Sequence, residues 1–108
     1  MDIERQKKLI KAGKFKENNG AVMRVFNMCE HDFHPLTSLA YALPNLTRGE
    51  LIESINYLYE AGYLHLRSID DDTDVSISDK KFEELKAKAT ANGSRLLRYA
   101  IIDPCVEL

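Results

Sequence analysis

Two cysteines, five glycines and three prolines in 108 residues exclude several kinds of chemistry at once. Cys29 and Cys105 lie far apart and form no C-x-x-C pair, so neither a disulfide framework nor a zinc knuckle is indicated and both read as free thiols. The glycines are scattered singly, which leaves no glycine-rich loop to cradle a phosphate. No apolar run approaches the roughly 18 to 20 residues that a transmembrane helix needs. The opening stretch, MDIERQKKLIKAGKFKENNG, lacks the apolar segment of a signal peptide, so the expected location is the cytoplasm. There is no internal repeat and no low-complexity segment. No nucleophile, base and orienting group come together, so no enzymatic activity and no cofactor are expected.

Two short clusters imitate metal sites. Cys29-Glu30-His31-Asp32-Phe33-His34 gathers ligand types that soft or borderline ions accept. Cys29, however, continues the apolar stripe of its helix and is expected to point into the core as a small apolar residue. Asp70, Asp72, Asp74, Ser76 and Ser78 follow the early spacing of a calcium loop, but Val75 stands where the turn needs Gly and Lys81 where the final Glu belongs. No metal is assigned to either.

What is present is an ordinary globular balance, 44% hydrophobic and 30% charged, enough for one core spanning residues 1–108. Residues 1–16 carry six basic side chains against two acidic ones, a net of +4, and read as a short helix or arm that stops near Gly13. After Asn18-Asn19-Gly20, Val22, Val25, Phe26 and Cys29 recur at the spacing of one helix face. Leu36, Leu39, Ala40 and Leu43 repeat it in a short helix entered through His34-Pro35 and stopped at Pro44. Thr47 and Glu50 form a capping box that opens a third helix, with Leu51, Ile55 and Leu58 buried and Gly62 at its end.

The period then changes to alternation. Leu64 and Leu66 oppose His65 and Arg67, and Val75 and Ile77 continue the pattern after a polar turn, which predicts a two-stranded hairpin. Phe82, Leu85 and Ala89 predict a further helix, broken at Asn92-Gly93 and restarted at Ser94 with Leu96, Leu97, Ala100 and Ile101. The fold expected is mainly α with a two-stranded β-hairpin wing, divided into an arm at 1–16, a core at 17–78 and a C-terminal helical segment at 79–108.

This order resembles the winged helix, a helix-turn-helix variant. The resemblance is carried by LTSLAYALPNLTRGELIESINYLYEAGYLHL, residues 36–66, and within it by Thr47-Arg48 and by Glu60-Ala61-Gly62-Tyr63-Leu64 leading into the wing. It is similar to bacterial regulators of the MarR and PadR groups. The resemblance implies a DNA-binding, transcription-regulator-like module with its third helix as the reading element. It also implies a homodimer through terminal helices, for which Leu96, Leu97, Ala100 and Ile101 are the candidates, unless those residues cover the domain's own core.

Charge argues the other way. From residue 17 to 78 three basic residues, Arg24, Arg48 and Arg67, face ten acidic ones, a net of −7. At about 100° per residue the outer face of helix three presents Gly49, Glu50, Glu53, Asn56, Tyr57 and Glu60. Affinity for DNA rests largely on Lys and Arg. The DNA reading therefore relies on Lys7, Lys8, Lys11, Lys14 and Lys16 for phosphates, with Thr47, Arg48, Asn56, Tyr57 and Arg67 as further contacts. The alternative is a protein-interaction module in which Glu53, Tyr57 and Glu60 meet a basic partner, and no membrane partner is expected in either case.

Overall fold

A single helix, α1 (Ile3–Asn27), runs through the arm, the expected stop and the first core helix. The computed structural model describes residues 2–28 and 31–108. Cys29 and Glu30, and with them the expectation that Cys29 points inward, lie outside the described residues. Asp2 caps α1 by accepting the Glu4 N–H at 3.1 Å. Gly13 meets no neighbour and does not end the helix. Asn19 and Gly20 are buried mid-helix, because tertiary contacts at this point replace the turn that their residue types suggest.

Around α1 follow β1 (His34–Pro35), α2 (Leu36–Ala42), α3 (Arg48–Glu60), β2 (Leu64–Ser68), a 3-10 turn (Phe82–Glu84), β3 (Leu85–Ala89) and α4 (Ala91–Leu97). The fold is mainly helical with a three-stranded antiparallel sheet of order β1-β3-β2. The capping box of α3 is formed, with Glu50 N–H donating to Thr47 Oγ1 at 3.1 Å and Thr47 N–H to Glu50 Oε1 at 3.0 Å. Gly62 carries the chain out of α3 at φ 85°, a conformation that glycine adopts without the usual steric penalty.

The sheet corrects the expected hairpin. Strand β2 pairs with Leu85–Ala89, segment LKAKA, and not with Val75 and Ile77. The latter are half-buried in the long connection, which folds back on β2 through backbone bonds around an isolated Arg67–Asp74 bridge without forming a strand. Phe82, Leu85 and Ala89, expected on one helix, instead lie on the 3-10 turn and strand β3. The strand has a clear physical basis, since Leu85, Ala87 and Ala89 are buried and alternate with Lys86 and Lys88 at period two. Similarly, α4 begins earlier than Ser94, capped by Thr90, whose Oγ1 accepts the Gly93 N–H at 3.0 Å. Gly93 lies inside this helix, and a side chain at that position would strike the Tyr63 carbonyl.

The core joins Val22, Met23 and Phe26 of α1 to Leu36, Leu39, Leu51, Ile55, Leu58, Leu66 and Leu85. Burying each such side chain contributes about 1.5 to 3 kcal/mol before conformational entropy is counted. Beyond α4 the chain turns at Tyr99, φ 59°, and returns along α1. Glu107 N–H donates to the Lys16 carbonyl at 3.0 Å and Asn19 Nδ2 to the Cys105 carbonyl at 2.9 Å. Gly20 lets the Glu107 carbonyl approach, since a Cβ would collide with it.

Asp103 ties this tail down. Its Oδ2 accepts the hydroxyls of Tyr57 at 2.7 Å and Tyr63 at 2.8 Å, and its Oδ1 accepts the Cys105 N–H at 2.8 Å. Burial pushes the carboxyl pKa up, but the Cys105 N–H and the two hydroxyls together outweigh it and hold the group below its ordinary value. Burial and the bond to Asp103 raise both tyrosines, Tyr63 to about 12.

Asp103→Ala leaves two half-buried hydroxyls without their acceptor and should cost about 1 to 3 kcal/mol in a thermal melt at neutral pH. An unfolded Asp titrates at about 4, above the folded group, so this contribution is complete above that pH and is lost as acid passes through the folded pKa. The tyrosine contribution is complete below about pH 10 and is lost as pH rises through their folded values. The difference between wild type and variant should therefore shrink at both extremes. A difference that stays constant from pH 2 to 12 would contradict the clamp.

Candidate nucleic-acid interface

The basic arm is helix rather than loop. Residues 2–12 are all exposed, so the first turns of α1 project from the body and present Lys7, Lys8 and Lys11 to solvent. Lys16 is exposed as well, whereas Lys14 lies 3.8 Å from the Glu50 carboxylate. Ile3, Leu9 and Ile10 are exposed on the same segment.

Helix α3 is placed differently from the expected open reading face, because α1 packs along one side of it. Glu50 accepts a bond from Asn18 Nδ2 at 3.4 Å and faces Lys14. Tyr57 is half-buried, its ring edge-on to Phe15 with centroids 5.2 Å apart and its hydroxyl held by Asp103. The exposed Tyr57 that both functional readings invoke is thus corrected to a packing residue. A groove of about 230 Å³ between the two helices is lined by Ile10, Lys14, Phe15, Glu50, Glu53 and Ser54. Of the expected outer face, Gly49, Glu53 and Glu60 are exposed and Asn56 is half-buried, so it carries two exposed carboxylates; the exposed cation of α3 is Arg48 in its first turn.

The first turn of α3 is also engaged. Thr47 Oγ1 is used by the cap. Arg48 stacks 4.0 Å over the Phe82 ring and its Nη1 donates to Glu83 Oε1 at 2.9 Å. This ties α3 to the 3-10 turn. Of the four dimer candidates, Leu96 and Leu97 belong to the chain's own core, Ile101 packs against it, and only Ala100 is exposed.

The outer face of the sheet joins Arg67, which the sequence reading named, to Lys86, Lys88 and Phe33, which it missed. Register places Arg67 directly opposite Lys86, and His65 opposite Lys88, on the side away from the core. Phe33 lies among them. Its ring centroid is 5.0 Å from the Arg67 guanidinium, 5.2 Å from Lys86 Nζ and 5.8 Å from Lys88 Nζ, with the His65 ring at 6.4 Å. Three cations gather around one aromatic ring. The sequence signal was the K-x-K of an alternating strand, concealed by its assignment to a helix.

Acidic residues of the 69–74 loop approach from one side. Lys86 Nζ lies 2.7 Å from Asp72 Oδ1, while Arg67 reaches Asp72 at 3.6 Å and Asp74 at 3.1 Å. Lys86, and after it Arg67, holds the Asp72 carboxyl below the usual carboxylate range. Lys88 makes no ion pair among the described residues. Among those residues there is also no group of three or more His, Cys, Asp or Glu placed to hold a metal, and no helix long and apolar enough to cross a membrane.

Tyr57→Ala should lower stability by on the order of 2 kcal/mol, through loss of the Phe15 contact and the Asp103 bond, whether or not a partner is present. Arg48→Ala removes an exposed ion pair and a stacking contact and should cost about 1 kcal/mol or less. Urea melts of the two variants check this order. A Tyr57→Ala protein as stable as wild type would return that residue to the surface.

Comparison of the chain with family models, with curated proteins and with solved structures finds no match.

Proposed function

We propose that this chain is a winged-helix module that binds double-stranded DNA, as a transcription-regulator-like protein does. The observation that carries the reading is the outer sheet face, where Arg67, Lys86 and Lys88 converge on Phe33. Like charges directly opposite each other on neighbouring strands destabilise a sheet. Asp72 and Asp74 offset part of this charge within the chain, and a phosphate backbone supplies a regular row of anions for the whole patch.

Element order supports the same reading. A helix, a short strand, two helices and two longer antiparallel strands succeed one another, with the third helix leading through Gly62 into the paired strands. Contacts to phosphate then come from the β2–β3 face and from Lys7, Lys8 and Lys11 on projecting α1. The acidic exposed side of α3 is a poor major-groove element, so base readout is expected to be weak and binding to depend mainly on charge. A protein partner for Glu53 and Glu60 is the competing reading, and it lacks the aromatic anchor that Tyr57 would have provided. The regulator reading includes a homodimer, for which Ile3, Leu9 and Ile10 now offer the exposed apolar surface.

Fluorescence anisotropy with a duplex of about 20 base pairs tests the reading. Affinity should fall steeply with salt, and Lys86→Ala with Lys88→Ala should weaken binding about tenfold and reduce the salt slope by about 2. A native protein that binds no duplex at low salt, while Glu53→Lys with Glu60→Lys does, would end the DNA reading in favour of a protein partner. Light scattering should report twice the chain mass, and a monomer at high micromolar concentration would remove the dimer.

A further inference from the structure

The 69–74 loop does more than close the connection between β2 and the rest of the chain. Backbone bonds fold it back on β2: Ser68 N–H donates to the Thr73 carbonyl at 3.0 Å, Asp72 N–H to the Ser68 carbonyl at 3.0 Å, and Val75 N–H to the Leu66 carbonyl at 3.2 Å. This geometry delivers two of the loop's four carboxylates to the basic face, Asp72 to Lys86 and Arg67, and Asp74 to Arg67. Asp70 makes none of these contacts, and Asp71 instead accepts bonds from Thr73 within the loop. Asp72 also adopts φ 56°, a left-handed conformation uncommon for a non-glycine residue but one that Asp and Asn tolerate.

We propose that this loop is a built-in competitor for the basic sheet face, with the Asp72 and Asp74 carboxylates occupying the positions that two phosphates of a bound duplex take. This rests on the DNA reading above and adds regulation to the same site. In the free protein Lys86 and Arg67 are neutralised by the loop, which leaves Lys88 as the unpaired cation of the strand pair among the described residues. Binding must then exchange carboxylate for phosphate at two cations. The exchange lowers affinity for arbitrary anionic polymers and favours a ligand that presents phosphates at the spacing needed to displace both carboxylates together. The loop pairs are solvent-exposed, and exposed pairs are individually weak, so the mask is reversible.

Substituting Asp72 by Asn removes one charge and keeps the left-handed backbone, and Asp70→Asn removes the same charge from the same loop without touching Lys86 or Arg67. Duplex affinity at low salt should rise about five- to tenfold for Asp72→Asn and less than twofold for Asp70→Asn. The salt slope should steepen by about 1 for Asp72→Asn. In a Lys86→Gln background the gain from Asp72→Asn should largely disappear. Elution from immobilised heparin reads the exposed basic face without requiring DNA recognition, and Asp72→Asn should elute later than Asp70→Asn.

Equal effects of the two substitutions on both probes mean bulk charge alone and overturn the mask. Later elution of Asp72→Asn from heparin, with no duplex binding by any variant, keeps the mask and removes the DNA reading. An unchanged gain in the Lys86→Gln background would overturn the assignment of Lys86 as the group released.

Discussion

Strand β3 sits between β1 and β2, and its five residues are shared by everything that matters in the molecule. Every second side chain, Leu85, Ala87 and Ala89, enters the core against helices α1, α2 and α4. The two between them, Lys86 and Lys88, have nowhere to point but outward. The same alternation therefore both closes the core and creates the charged face. Small Ala87 and Ala89 on the inner side leave room for helices to approach, while the larger Leu85 fills its own buried position. A slip of one residue in this pairing would bury two ammonium groups, which fixes the register strongly.

Concentrating Arg67, Lys86 and Lys88 on one patch is an electrostatic liability in the free protein. Two features offset it. The ring of Phe33 lies near all three cations, and the acidic loop supplies carboxylates to two of them. The patch is thus partly offset by the electron-rich ring of Phe33 and by the carboxylates of Asp72 and Asp74. That arrangement shows how a chain with a formal charge of −2 can carry a locally basic face. Net charge reports the average, whereas binding depends on where the charges stand.

Helix α1 sets the other half of the surface. Its C-terminal half is a core element through Val22, Met23 and Phe26, and its N-terminal half projects with its lysines. Between the two, Phe15, Lys14 and Asn18 cover one side of α3, and the returning tail locks onto Lys16, Asn19 and Gly20. The consequence is that α3 keeps little of the open face that helix periodicity suggested. Tyr57 becomes part of a half-buried hydrogen-bonded cluster with Asp103 and Tyr63, which joins α3, the turn after it and the tail.

Local chemistry was enough to place α2 and α3, because each is bounded by signals that act within a few residues. Pro44 cannot continue a helix, Thr47 and Glu50 satisfy each other's backbone groups, and Gly62 takes a left-handed turn. The apolar positions Leu51, Ile55 and Leu58 then follow from periodicity alone. The strand partner of β2 was not legible in this way. Val75-Ser-Ile77 and Leu85-Lys-Ala-Lys-Ala89 both alternate, and only the packing of the whole chain selects the second, since its small inner residues fit beneath the helices. Asn19-Gly20 and Asn92-Gly93 read locally as breaks for the same reason, although each glycine lies within a helix where a carbonyl from a distant segment leaves no room for a Cβ. The sequence by itself determined which segments have a buried stripe and how they begin and end, because those choices depend on neighbours a few residues away. Tertiary structure decided which strand pairs with β2, and hence where Lys86, Lys88 and Arg67 meet, because register depends on contacts between residues far apart in the chain.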